Sequence, residues 1–327
     1  MVDLVHELLL QHAANPRPAL RHRGKDLAYA DLAAAVAGTA NGLAGHGLER
    51  DARVAVYLEK RPEAVIAMLG AAAAGGVFVP VNPLLKPPQV AHVLRDSGAG
   101  ILVTSAVRLA QLGDSVHDCP TLRRIVVVDG PAESDPTDGA QMPWEALGTD
   151  VAAGWHRRID ADMAAILYTS GSTGPPKGVV LSHRNLVAGA QSVCRYLGNH
   201  ADDRLLALLP LSFDYGLSQV TTALASGGCA VLADYLVPGD VVRTVAAEAI
   251  TGLAAVPPLW IQLAGAQWPA AVHEHLRYIT NSGGALPRAT VAALRRQLPN
   301  TRVVLMYGLT EAFRSTYLPP EELDRRP

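Results

Sequence analysis

Short apolar runs alternate with longer amphipathic stretches along most of the chain. Arg53 to Leu58, Val77 to Val81 and Ile101 to Thr104 predict strands, and so does the β-branched run Ile125 to Val128. Helices are predicted between them. One starts at Tyr29-Ala30-Asp31-Leu32, is capped by Asp31, runs through Leu43 and is stopped by Gly45 and Gly47. Pro62 opens a second that reaches Ala74, and Val90 to Ser97 forms a third. At the start of the chain, Leu4, Val5, Leu8 and Leu9 share one helical face and predict a surface helix.

The second half repeats the alternation. Met163 to Leu167 and Val179 to Leu181 predict strands, and Ser182 is placed to cap a helix from His183 to Tyr196. Further strands are predicted at Leu205–Leu209, Cys229–Leu232, Gly252–Ala255, Tyr278–Thr280 and Arg302–Met306. Helices fall near Asp214 and over Val241–Ala249, Leu259–Ala264 and Arg288–Leu298. This order predicts an α/β fold whose mostly parallel sheets are covered by helices, with two similar αβ subdomains stacked on one another. The Pro-, Gly- and Asp-rich stretch 129–142 reads either as a surface linker or as a long loop without domain meaning. No internal repeat is found.

Composition narrows the class. Of 327 residues, 49% are hydrophobic and 18% charged, which suits a soluble globular protein with large buried elements. A net charge of −2 gives no electrostatic case for nucleic acid or an anionic membrane. The apolar stretch from Gly70 to Val81 is too short to span a bilayer and is broken by Gly75-Gly76. Acidic residues stand where a signal peptide carries basic ones. Cys119, Cys194 and Cys229 are far apart, fit no zinc spacing and predict buried thiols in a cytoplasmic protein. His273-Glu274-His275 lacks the spacing of a two-histidine metal motif and is expected to be solvent-exposed.

The chemistry is concentrated in Tyr168-Thr169-Ser170-Gly171-Ser172-Thr173-Gly174-Pro175-Pro176-Lys177-Gly178, which lies between two predicted strands. Glycines permit close backbone approach, successive N–H groups can form an anion nest, and hydroxyls and one lysine add donors. The pattern suits a polyphosphate. A Walker loop would need glycine before the lysine and a hydroxyl residue after it, and neither is present. The alternative is a Ser/Gly hairpin loop with no ligand.

The stretch from Tyr168 to Gly178 resembles the phosphate-loop signature of the AMP-forming adenylating enzymes: acyl- and aryl-CoA synthetases, luciferases and the adenylation domains of peptide synthetases. The resemblance extends from the helix start at Tyr29 to Glu311 and implies the layered large N-terminal domain of that family. It implies that Thr169, Ser170, Gly171, Ser172, Thr173, Gly174 and Lys177 bind the outer phosphates of ATP. It places Gly283, Gly284 and Ala285 of Asn281-Ser282-Gly283-Gly284-Ala285 in the adenine pocket. In Met306-Tyr307-Gly308-Leu309-Thr310-Glu311 it puts Tyr307 and Gly308 against the purine, Thr310 on the α-phosphate and Glu311 on Mg²⁺, whose usual ligands are carboxylate and phosphate oxygens. The implied catalytic residues are Lys177, Thr310 and Glu311.

Phe213, Asp214, Tyr215 and Ser218 are the expected substrate pocket. Acyl-CoA synthetases often carry histidine where Phe213 stands. Amino-acid-activating members often carry Phe-Asp, the aspartate pairing the substrate's ammonium. Asp214 therefore either meets an ammonium or caps a helix starting at Tyr215. Tyr215-Gly216 departs from the amino-acid pattern, which favours a non-amino acid. Val256-Pro257-Pro258-Leu259-Trp260 reads equally as an acyl-pocket wall or as core packing.

The resemblance implies activation of a carboxylic acid as acyl-AMP, followed by transfer to the thiol of CoA or of a carrier protein's phosphopantetheine. An acyl carrier protein is the implied macromolecular partner. Complete members continue into a ribose-binding aspartate, a hinge and a mobile C-terminal domain with a catalytic lysine. Residues 312–327 match none of these. The expectation is thus a truncated large domain, impaired in catalysis by roughly 10²–10³ in rate for the missing lysine, or a non-catalytic nucleotide- or carrier-binding fragment.

Overall fold

The structure is a computed structural model that describes residues 2–116, 118–130, 141–148, 154–169 and 174–325. The strands are β1 (Pro18–His22), β2 (Lys25–Ala28), β3 (Arg53–Tyr57), β4 (Val77–Pro80), β5 (Ala99–Thr104), β6 (Arg124–Val127), β7 (Gln141–Pro143) and β8 (Met163–Thr169). They continue as β9 (Lys177–Ser182), β10 (Arg204–Ala207), β11 (Cys229–Leu232), β12 (Gly252–Ala255), β13 (Tyr278–Asn281), β14 (Arg302–Leu309) and β15 (Phe313–Leu318). Two compact units form. The first holds Met1–Pro16, Ala28–Val187 and Leu211–Phe213, and the second Arg17–Leu27, Ala188–Pro210 and Asp214–Pro327.

The first unit carries a seven-stranded sheet in the order β7-β6-β5-β3-β4-β8-β9, parallel except for the β8–β9 hairpin. Its core includes Tyr57, Val79, Leu94, Leu102 and Ile166. The helix Pro62–Ala74 is buried at every position from Ala64 onward. That explains the apolar stretch there, and no helix among the described residues is long and apolar enough to cross a membrane. The helix ends at Gly75, whose φ of 92° is a left-handed cap. Asp31 lies inside the first turn of the helix Tyr29–Gly45, while Ala28 holds the N-cap position. Asp31 is thus an acid in the first turn, where it complements the helix dipole, instead of the cap residue that the sequence suggested. Ser182 does cap its helix: Asn185 N–H donates to Ser182 Oγ at 3.2 Å.

The second unit carries an eight-stranded sheet, β15-β14-β13-β12-β10-β11-β1-β2. The pairs from β1–β11 through β13–β14 are parallel, and β15 closes one edge antiparallel to β14. Trp260 is fully buried, and its indole N–H reaches the carbonyls of both Ala255 and Thr280 at 3.0 Å. Leu259 and Trp260 are therefore core packing, whereas Val256 and Pro257 are half-buried and Pro258 is exposed. At the start of the chain only Glu7–Leu10 is helical, and Val5, Leu8 and Leu9 are buried, so the predicted surface helix is a single turn packed inward. Of the stretch 129–142, residues 131–140 lie outside the described residues, while Gln141 and Met142 belong to the edge strand β7.

Candidate functional site

The predicted site residues fall in both units, and each group is described on its own unit. In the first, β8 and β9 pair antiparallel with Tyr168 opposite Gly178 and Thr169 opposite Lys177. A Cβ on Gly178 would stand 2.6 Å from Ile166 Cγ2 and 3.2 Å from the Tyr168 ring, so glycine is required where the hairpin crosses those side chains. Ser170, Gly171, Ser172 and Thr173 lie outside the described residues. Gly174 and Lys177 are exposed, and Thr169 is half-buried.

One helix holds both arms of this hairpin. His92 and Asp96 lie one turn apart on Pro87–Ser97. The Tyr168 hydroxyl donates to Asp96 Oδ2 at 2.6 Å, and His92 Nε2 lies 3.0 Å from the Pro176 carbonyl oxygen. Burial, and then the Asp96 carboxylate, push the Tyr168 phenol above its ordinary range, so it stays a donor. Neither His92 nor Asp96 was singled out from the sequence. Their i, i+4 spacing was the available signal.

In the second unit, β13 and β14 run side by side, with Asn281 opposite Leu305. Asn281 Nδ2 donates to the Gly284 carbonyl at 2.9 Å and closes the turn that leaves Gly283, Gly284 and Ala285 exposed. Beyond Leu305 on the neighbouring strand, Tyr307 is 65% exposed, which leaves an aromatic face open. Gly308 is forced by the β14–β15 hairpin, because a Cβ there would lie 1.7 Å from the Phe313 carbonyl oxygen. Thr310 is buried and Glu311 exposed at the hairpin turn. No group of three or more His, Cys, Asp or Glu suited to a metal occurs among the described residues. A single exposed carboxylate still fits Mg²⁺ held mainly by phosphate oxygens. His273 and His275 are half-buried instead of solvent-exposed, with His275 Nε2 3.1 Å from the Val245 carbonyl oxygen.

The expected substrate pocket yields the clearest departure from the sequence reading. The helix Asp214–Ser226 begins at Asp214 itself, and the buried carboxylate of Asp214 accepts from Arg314 Nη1 at 2.6 Å. The Arg314 guanidinium lies 4.4 Å from the centre of the Tyr215 ring and 5.0 Å from that of Phe313. Tyr215 is fixed in turn by a 2.5 Å hydrogen bond to Thr280 Oγ1, and burial pushes its phenol upward. Gly216 is a packing requirement, since a Cβ there would stand 2.0 Å from the Pro210 carbonyl oxygen. Ser218 is buried one turn after Asp214, and Phe213 is half-buried just before the helix. Arg314 was missed in the sequence, where it is a lone arginine in a mixed stretch.

Known proteins share this architecture. The family model described as "AMP-binding enzyme" matches residues 10–327. Feruloyl-CoA synthase of Amycolatopsis sp is 31% identical over 297 residues, which is 90% of this chain and 56% of that protein. The L-proline--[L-prolyl-carrier protein] ligase of Streptomyces coelicolor is 33% identical over 350 residues, covering 99% of this chain and 62% of its own length. The chain thus spans less than two thirds of these relatives. Among solved structures, VinN with L-aspartate superposes with a TM-score of 0.82 at 28% identity, covering 99% of this chain and 80% of that one. The chain belongs to the AMP-binding enzymes, the adenylating family that includes acyl-CoA synthetases and peptide-synthetase adenylation domains.

Proposed function

We propose that the chain binds ATP with Mg²⁺ and activates a carboxylic acid as its adenylate. The observation that carries this is the β8–β9 hairpin, which sets Thr169 opposite Lys177 at the mouth of a hydroxyl- and glycine-rich loop. Among the described residues the exposed Lys177 has no ion-pair partner, so its ammonium is available to the outer phosphates. Tyr307 and the Gly283–Gly284 backbone offer a flat surface for the purine, and Thr310 a hydroxyl for the α-phosphate. Glu311 would hold Mg²⁺, which supplies neutralisation of phosphate charge when bound.

In the reaction a carboxylate oxygen attacks the α-phosphorus and pyrophosphate leaves. A thiol sulfur then attacks the carbonyl carbon and AMP leaves. The carboxylate is already a nucleophile, so the residues of this chain act by positioning and by stabilising phosphate charge. The thiol acceptor is proposed to be CoA or a carrier-protein phosphopantetheine. Relatives of both kinds support this, a CoA synthase and a carrier-protein ligase. They also bracket the acid, from an aryl acid to an amino acid, with the L-aspartate of VinN on the amino-acid side.

Titration calorimetry with ATP, with and without Mg²⁺, tests the reading. Saturable binding that Mg²⁺ strengthens is expected. Folded protein that gives no saturable heat would overturn it.

A further inference from the structure

Asp214 and Arg314 form a salt bridge whose side chains are only 4% and 2% exposed. The pair is over-supplied with donors. A guanidinium carries five N–H groups in a fixed fork. Nη1 is used by Asp214, whereas Arg314 Nε and Nη2 are buried without any hydrogen-bond partner. Ser218 Oγ and Thr222 Oγ1, one and two turns along the same helix from Asp214, are also buried and unpartnered. The Tyr215 and Phe313 rings lie against the guanidinium, and Thr280 locks Tyr215, so the fork is held in place. Buried polar groups almost always find partners, and a cluster that does not marks a place where another molecule supplies them.

Charge decides which molecule. The buried pair is neutral as it stands. A carboxylate added at the Nε–Nη2 edge would leave one buried negative charge uncompensated, and an ammonium added at Asp214 would leave one positive charge. A substrate that brings both leaves four alternating charges with no net burial of charge. The Nε–Nη2 edge of arginine accepts a carboxylate through two parallel hydrogen bonds, a geometry that lysine cannot copy. Asp214 Oδ1 is left to accept from the ammonium, and Ser218 Oγ from the same group.

We infer that the acid activated here is an amino dicarboxylate, with its ammonium on Asp214, one carboxylate on Arg314 and the other carboxylate presented for adenylation. The inference rests on the adenylating reading above. It makes Arg314 a specificity-determining residue and reverses the expectation of a non-amino acid: Tyr215-Gly216 departs from the amino-acid pattern because Tyr215 supports the guanidinium and Gly216 admits the Pro210 backbone.

The test is calorimetry on the unmodified chain with L-aspartate, succinate, propylamine and benzoate, run beside ATP with Mg²⁺. L-Aspartate is expected to bind at least about tenfold more tightly than the other three, since succinate and benzoate lack the ammonium and propylamine lacks the carboxylate. Equal or tighter binding of succinate, propylamine or benzoate overturns the inference. ATP binding without L-aspartate binding also overturns it and leaves adenylation standing. L-Aspartate binding without ATP binding keeps amino-dicarboxylate recognition by Asp214 and Arg314 and overturns adenylation. Arg314→Lys, which preserves charge but not the fork, is expected to weaken L-aspartate about tenfold while ATP binding is unchanged. An unaltered L-aspartate affinity in the folded Arg314→Lys protein would place the recognition elsewhere.

Discussion

Arg314 and Asp214 lie 100 residues apart in the chain yet share a 2.6 Å charged hydrogen bond in the interior of the second unit. The bond ties the β15 edge strand to the start of the helix Asp214–Ser226. Removing one partner leaves the other charge buried and alone. Arg314→Met is therefore expected to lower the unfolding free energy by about 3–5 kcal/mol. Adding Asp214→Asn removes the stranded charge and should restore part of that loss. Urea denaturation of both single variants and the double variant measures the coupling. Simply additive losses would show that the two side chains do not act as a pair.

Two glycines in the same unit allow a sharper steric test. A Cβ at Gly308 would stand 1.7 Å from the Phe313 carbonyl oxygen, and one at Gly216 would stand 2.0 Å from the Pro210 carbonyl oxygen. Both neighbours are backbone and cannot swing aside. Gly308→Ala and Gly216→Ala should each cost more than about 2 kcal/mol. At Gly239 the nearest atom is the flexible Arg243 Nη1 at 3.5 Å. There the same change should be neutral or stabilising by up to about 1 kcal/mol, since alanine is the better helix former. Thermal melts of the three variants separate the cases, and a mild effect at Gly308 would contradict the close approach in the β14–β15 hairpin.

Elements bounded by glycine or proline were the most legible in the sequence. Cys229–Leu232, Gly252–Ala255 and the helix Pro62–Ala74 are found with the limits their patterns predict. The edge strands β2 and β15, and β1 one place in from the edge, were not: Pro18–His22 and Lys25–Ala28 carry Arg21, Lys25 and Asp26, and β15 mixes arginine, serine and threonine. A strand with one solvated edge needs no continuous apolar run, so periodicity alone does not reveal it. The same division holds for the site. The loop proposed to bind phosphate stands out in the sequence because its hydroxyls, glycines and lysine lie in one stretch. The Arg314 partner of Asp214 is a long-range contact that leaves no local period, and the i, i+4 spacing of His92 and Asp96 does not reveal the hairpin they hold.

Lys177 is assigned to the outer phosphates, so its removal should discriminate between nucleotides. Charge-assisted hydrogen bonds to phosphate contribute roughly 1.5–3 kcal/mol, which corresponds to about tenfold to a hundredfold in affinity. Lys177→Ala is expected to weaken ATP by that factor and to leave AMP nearly unchanged. The residue is exposed at the start of β9, so folding should not suffer. Calorimetry with both nucleotides decides the matter. Equal losses for ATP and AMP would move the lysine away from the outer phosphates.

The first unit carries a pH-sensitive pair. His6 and His183 are buried with ring centres 6.2 Å apart, and Val5 N–H donates to His183 Nδ1 at 3.2 Å. Burial holds His6 down to about 4 against a weak upward pull from Glu7. Burial also holds His183 down to about 4, helped by His6 and Arg158 and opposed by Asp162 and Glu7. In the unfolded chain both titrate near 6.5. At pH 7 neither state binds extra protons. As pH falls from about 6.5 toward 4, the unfolded chain takes up protons that the folded chain refuses, so stability falls. The slope approaches about 1.4 kcal/mol per pH unit for each histidine. Asp51 is held low by a hydrogen bond from Arg158, so its contribution is lost only at lower pH, below the ordinary aspartate range. The two windows are therefore separable. Urea denaturation at pH 7, 6 and 5 should show the decline in the unmodified chain and a flatter profile in His6→Gln and His183→Gln, most of all in the double variant. An unchanged slope in the folded double variant would show that the acid sensitivity of this unit arises from other groups.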